Sequence, residues 1–266
     1  MRFAFLLVVA MGAAMSLAWA ARRRGASSGW IDAIWSATVG VSGLATTLAV
    51  CGLGERRAFV AALALFWSAR LAVHIAARTR TGADDPRYVE LERDWGPRAA
   101  SRLWLFLQIQ AVAGLVLVMA IALAAANPAP FPSPLDALGL TVFAAGWIGE
   151  TAADAQLRAF ARAKATRGGV CDVGLWRWSR HPNYVSEWLV WCGFALIALQ
   201  SPSAFPLGLA ALAAPALMYL LLAHVSGVPP LEAYMERTRP DAFARYKRRV
   251  PIFFPWPPTP GKLGAS

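Results

Sequence analysis

Long apolar stretches alternate with short polar ones along almost the whole chain. Seven such stretches lie at 3–20, 30–51, 59–77, 103–126, 135–148, 185–199 and 204–223. A bilayer core takes about 20 mostly apolar residues per helix. The fifth and sixth stretches, of 14 and 15 residues, are short, but helical patterning continues into their polar flanks at 150–165 and 181–185. Proline-rich breaks at 127–134 and 201–202 end one helix and begin the next, because proline lacks the helical N–H and pushes its predecessor out of the helical region. The first stretch ends in Ala18, Trp19 and Ala20, which is like a signal-peptide cleavage site, yet Arg22, Arg23 and Arg24 follow the apolar run instead of preceding it. That order fits a retained helix. The pattern predicts an all-α integral membrane protein of about seven transmembrane helices, forming a single membrane domain over 1–266.

Composition agrees with the pattern and removes other classes. The 266-residue chain is 58% hydrophobic and only 15% charged, with mean hydropathy +0.46, which excludes a disordered chain, a coiled coil and a disulfide-rich secreted module. Cys51, Cys171 and Cys192 are widely spaced, and His74, His181 and His224 lie in separate segments, so no metal site is expected. A formal charge of +11 is often a cue for nucleic acid, but here its distribution points to a topology. Of 26 Lys and Arg, 22 lie at 21–29, 78–102, 150–184 and 224–266, all on one side of a seven-span chain. Arg2, Arg56 and Arg57 fall on the other side, and Arg70 falls inside a span. The positive-inside rule then puts the N-terminus outside and the C-terminus in the cytoplasm. Bases in short interhelical loops exclude nucleic acid as a partner and leave membrane lipids or an anionic cofactor. No feature points to an obligate protein partner.

Ionisable groups inside apolar helices are costly, and they mark candidate sites. Asp32 stands near the start of the second span, where a helix cap is the competing reading. Arg70 and His74 share a face of the third span, continued by Arg78; they serve a site or satisfy buried backbone. Glu150, Asp154, Arg158 and Arg162 form an i, i+4 series on the fifth span, for which an intrahelical ion-pair ladder is the structural alternative. Asn183 and Glu187 share a face of the sixth, and Glu187 lies about a turn inside an apolar run, where an unpaired carboxylate is costly. Residues 150–184 gather six bases and three acids, and Pro182 opens a helix flanked by Arg177 and Arg180. Helix N-termini attract anions, so this setting suits a phosphate-bearing cofactor bound on the cytoplasmic face. Neither a dinucleotide-type glycine fingerprint nor a Walker pattern is present. The tail at 231–249 reads as one cytoplasmic amphipathic helix, with Tyr234, Phe243 and Tyr246 opposing Arg237, Arg239, Arg245 and Lys247. Residues 250–258 read as an extended segment against the membrane surface.

Residues 174–188, GLWRWSRHPNYVSEW, resemble the signature of the steroid 5-alpha-reductase C-terminal family, especially its bacterial membrane branch. Supporting segments are DDPRY at 84–88, DAQLRAF at 154–160, VSGVP at 225–229 and YKRRVP at 246–251, so the likeness runs over about 30–258. The resemblance implies a seven-helix reductase of the bacterial inner membrane that uses NADPH. It implies hydride transfer to the carbon end of a conjugated enone while an acid polarises the carbonyl oxygen. The substrate would be lipophilic, such as a sterol or isoprenoid, and would enter from the bilayer. By position, Asp154 and Arg158 resemble the family's cofactor-holding pair, and Asn183 and Glu187 its carboxamide-reading pair. An amide and a carboxylate on one helical face can satisfy both halves of a carboxamide. Arg177, Arg180 and Tyr246 match phosphate or adenosine contacts, with His181 and Tyr184 beside them.

The chain departs from the family pattern in the third span, where Ile75 stands in place of a tyrosine of the steroid reductases. That departure removes support for a 3-oxo-steroid. Asp32 is the nearest acid to the family's second-helix glutamate. Candidate proton sources are His74, Asp32 and Tyr88, in that order. The RHPNY run at 180–184 and the basic tail also resemble isoprenylcysteine carboxyl methyltransferases, which use S-adenosylmethionine. Glu187, together with Asp154 and Arg158, favours the reductase.

Overall fold

Five of the α-helices begin where the sequence supplies a side-chain cap or a proline. The chain is seen in a computed structural model that describes residues 2–80, 82, 84–163, 168–200 and 203–257, and among these every regular element is helical. The long helices are α1 (Arg2–Arg23), α2 (Gly29–Ala49) and α3 (Gly54–Thr79). A short α4 (Pro86–Trp95) leads into α5 (Ala99–Ala126), followed by α6 (Pro134–Arg162) and α7 (Pro182–Ala198). At the start of α6, Ser133 and Asp136 close a reciprocal capping box, and Pro134 takes the first helical position. At α4 Asp85 is a simple side-chain cap, accepting from the Arg87 N–H at 3.0 Å ahead of Pro86. The last apolar stretch is a mosaic of a 3-10 segment over Pro206–Leu212, α8 (Ala213–Leu220) and one π turn over Leu221–Val225.

Four stretches are long and apolar enough to cross a membrane by length and composition: Arg2–Arg23, Gly54–Thr79, Pro86–Ala126 and Pro206–Thr238. The other three rods fall short of that measure for visible reasons. α2 is rich in Gly, Ser and Thr, α6 carries charges through its second half, and α7 has only 17 residues.

One sequence expectation needs correction. The tail is two helices, α9 (Val228–Thr238) and α10 (Pro240–Arg249), because Arg239 precedes a proline and adopts φ −144° instead of a helical angle. The segment after α10 folds back onto the protein. The Arg180 N–H donates to the Pro251 carbonyl at 2.9 Å, the Trp256 N–H donates to the Trp178 carbonyl at 2.9 Å, and Phe253 is buried. Backbone pairing and aromatic burial hold it there, with Phe254 against Trp188 and Tyr219. The expected turn at 201–202, Ala165 and Pro258 lie outside the described residues.

The polar linkers meet at two separate ends. At one end, Arg56 of α3 gathers residues 127–130, Asp136 and Gln200. At the other, α4 is tied to α1 through Arg22 and Glu92 at 2.6 Å, and to α9 through Arg237 and Glu90 at 2.8 Å. Between these ends, α6 and α7 pack closely through small residues. A Cβ on Gly146 would lie 2.5 Å from the Ser186 carbonyl, and one on Gly149 would lie 2.7 Å from the Ser186 hydroxyl. That close approach brings Glu150 and Glu187 together.

Candidate functional site

Three helices contribute to a polar cluster in the middle of the bundle. On α3, Trp67, Arg70 and His74 follow i, i+3, i+7 spacing and so share a face. Arg70 pairs with Glu150 at 2.6 Å and with Asp154, both on α6. His74 approaches Asp154 through Nε2 at 3.4 Å, and its Nδ1 meets the Arg158 guanidinium. A guanidinium only donates, so His74 Nδ1 is the acceptor and the ring carries its proton on Nε2, facing Asp154. On α7, Glu187 accepts from the Trp67 indole at 3.0 and 2.9 Å and from the Trp191 indole at 2.8 Å. Asn183, one turn earlier, makes no side-chain hydrogen bond to a described residue. The i, i+4 series on α6 is therefore not an intrahelical ladder; its first three members pair with α3 instead.

A second cluster joins α2, α4 and α5. The Tyr88 hydroxyl donates to Asp32 at 2.8 Å and also contacts Gln110, while Arg87 pairs with the other Asp32 oxygen. Asp85 holds Arg87 from the other side at 2.9 Å and also pairs with Arg78 at 2.6 Å. Burial by itself would raise the Asp85 carboxyl, but Arg87 and Arg78 overrule it and hold the group well below the usual carboxylate range. Asp32 and Tyr88 thus form one hydrogen-bonded unit, and His74 belongs to the other cluster.

The third assembly is the clasp of the tail. Arg180 donates to Glu232 at 2.7 and 3.2 Å and to the Val250 carbonyl at 2.8 Å, so its guanidinium is occupied by α9 and the end of α10. His181 meets Glu232 at 3.0 Å and stacks on Tyr184 with ring centroids 5.3 Å apart. Burial holds the His181 imidazole below its ordinary value, against the opposing pull of Glu232. The Tyr246 hydroxyl donates to the Trp176 carbonyl at 2.6 Å, and burial pushes its pKa well up. Arg180, His181, Glu232 and Tyr246 border a cavity of about 480 Å³ that also meets Trp176, Tyr234, Arg239 and Phe243. Such a volume is ordinary for a small-molecule or cofactor pocket. Arg177 lies in a separate cleft of about 300 Å³ with Arg249, which pairs with Asp172 at 2.9 Å.

Each candidate residue can now be placed. Asp154, Arg158, Glu187 and His74 come together in the central cluster, Asp32 and Tyr88 in the second, and Arg180, His181, Tyr184 and Tyr246 around the clasp. Sequence reasoning missed Trp67, Trp191 and Glu232 as partners. The signals were weak: an indole within an apolar helix reads as packing, and Glu232 reads as one more charge of an amphipathic tail. No group of His, Cys, Asp and Glu able to hold a metal occurs among the described residues.

Apolar helices of membrane-crossing length enclosing buried ion clusters define a helical protein of the membrane class. The chain belongs to the family described as protein of unknown function (DUF1295), whose model matches residues 18–250, a family linked to steroid 5-alpha-reductase-like proteins. No curated protein and no solved structure matches the chain.

Proposed function

We propose that the chain is a membrane-embedded reductase that uses NADPH to reduce a conjugated C=C of a lipophilic substrate, such as a sterol or isoprenoid. The observation that carries this reading is the buried Tyr88–Asp32 pair backed by Arg87. An enone reduction needs a donor at the carbonyl oxygen. In this reading the Tyr88 hydroxyl, which rests donating to Asp32, turns its single proton to the carbonyl oxygen when substrate binds, and Asp32 and Arg87 keep the group in place. His74 drops from first place among the proton sources, because its neutral ring is committed to Arg158 and Asp154. A methyl transfer leaves the Tyr88–Asp32 pair without a role.

The residues present fit the cofactor. The cavity beside the clasp has aromatic walls for an adenine, and Arg239 spends only one contact there, on the Met235 sulfur. Arg239 and Arg177 are better placed for phosphates than Arg180, whose guanidinium already holds Glu232; Arg180 and Tyr246 shape the wall. The Asn183 carboxamide has no partner among the described residues and offers both a donor and an acceptor to a nicotinamide amide, whereas the Glu187 oxygens are held by the Trp67 and Trp191 indoles. NADPH, when bound, supplies the hydride.

Seven helical rods (α1, α2, α3, α5, α6, α7 and 206–225) crossing in alternation fit the observed separation of linkers to two ends. In this reading the positive-inside rule turns the basic linkers, the clasp and the cavity toward the cytoplasm of an inner membrane, with the N-terminus outside and the C-terminus inside. The test is thermal protection of the purified protein in detergent by NADPH and, separately, by S-adenosylmethionine. NADPH should protect, and Asn183→Ala should raise its Kd at least tenfold with helicity unchanged. Protection by the methyl donor alone would overturn the reading.

A further inference from the structure

The central cluster has one more negative charge than its neighbours balance. Glu150, Asp154 and Glu187 face Arg70, with Arg158 at the exposed rim; burying a net charge among apolar helices is costly. One proton is needed for neutrality. His74 does not hold an extra one, because its Nδ1 accepts from Arg158.

The hydrogen bonds locate the missing proton. Glu187 is served by both indoles, with each of its oxygens accepting at least once. Glu150 Oε1 and Arg70 Nη1 form an ion pair at 2.6 Å without hydrogen-bonding geometry, while Glu150 Oε2 is fully buried and has no donor among the described residues. The Glu150 side chain is 6% exposed and that of Arg70 9%, so water does not readily answer for that oxygen. The close approach of α6 to α7 at Gly146 and Gly149 sets the two glutamates beside each other, near enough for their side chains to interact. Two carboxyl groups in such contact hold together only when a proton lies between them.

We propose that Glu150 and Glu187 form an acid pair that retains one proton at neutral pH, carried on Glu150 Oε2 and donated to the Glu187 carboxylate. The surrounding groups are consistent with one shared proton. From α3, Arg70 holds the other Glu150 oxygen and Trp67 stabilises the ionised Glu187. From α6, Asp154 competes for Arg70, and from α7, Trp191 adds a second indole donor. The pair is a proton-binding site within the helical bundle, and the inference stands independently of the cofactor reading.

The experiment is infrared spectroscopy of the purified full-length protein in detergent, without cofactor, comparing H₂O with D₂O across neutral pH. The acid pair predicts a carboxylic-acid C=O band at pH 7 that shifts on deuteration. Glu150→Gln should abolish it. Glu187→Gln should abolish it too, because Glu150 then ionises against Arg70. Absence of the band in the unmodified protein overturns the proposal, as does a band that survives both substitutions. If a variant fails to fold, the pH titration of the unmodified protein still decides, because a proton lost in the ordinary carboxylate range overturns the pair. Because no cofactor is present, failure of NADPH to bind does not affect this result.

Discussion

Arg56 and Arg70 lie on the same helix, and both are buried, but their surroundings differ in kind. Arg56 is fully covered and every direction of its guanidinium is used: the Asn127 carbonyl at 2.7 Å, the Pro130 carbonyl at 2.9 Å, Asp136 at 2.8 Å, and the Ala129 carbonyl. Asp136 is completed in turn by Gln200 at 2.7 Å and the Ser133 N–H at 2.9 Å. Arg70 faces an excess of carboxylates and leaves a buried Glu150 oxygen without a donor. A fully satisfied network specifies a structure, whereas an unsatisfied one in a native protein calls for a chemical explanation. Arg56 ties one end of the bundle together; Arg70 organises a site.

That contrast can be broken most forcefully at Arg56. Arg56→Met strands the Asp136 carboxylate and several carbonyls, and should cost about 3–5 kcal/mol. It should appear as failed assembly or a steep loss of thermal stability in detergent. A variant that melts with the parent protein would remove the structural role. Next in size is Gly146→Val, which forces α6 from α7 because even a Cβ would stand 2.5 Å from the Ser186 carbonyl. Overpacking of this kind costs about 1–3 kcal/mol. It should also remove the carboxylic-acid band, separating helix spacing from residue identity.

Glu150→Gln sharpens the comparison from the other side. An amide keeps a donor where the proton is proposed to sit, so stability should change by no more than about 1 kcal/mol. Asp136→Asn, the matched change beside Arg56, should cost clearly more; equal melting shifts would erase the distinction.

The smallest effect concerns the clasp. His181 has a lowered pKa in the folded state, so the unfolded chain takes up its proton first as pH falls. Its contribution is therefore complete above about 6.5, its ordinary value, and declines as pH drops through the folded value. Acidification below pH 6.5 should loosen the tail, seen as faster proteolysis in the segment around Trp256, and His181→Asn should flatten that dependence.

Much of the site was legible one helix at a time. Arg70 and His74 on one face, the α6 acid–base series, and Asn183 with Glu187 all follow from spacing and from the cost of charge among apolar residues. Their partners were not legible. Glu150 and Asp154 were within reach of bases on their own helix, and only the placement of α3 showed that Arg70 takes both. Arg56 read as a loop base because it lies near the start of α3, yet it is among the most buried side chains in the molecule. The tail was misread for a local reason, since Pro240 was present in the sequence and its effect on Arg239 was overlooked.

Hydrophobic periodicity, proline positions and the distribution of basic residues are properties of the chain alone, and they determined the long apolar helices, their approximate limits and the sidedness expected of their linkers, but not the short α4 within the linker at 78–102. Which charges meet depends on how neighbouring helices are spaced and rotated. Close packing at Gly146 and Gly149, the Trp67 and Trp191 donors to Glu187, and the return of the tail onto residues 178–180 decided that. Contact between distant segments is set by three-dimensional packing, and no spacing within a single helix encodes it.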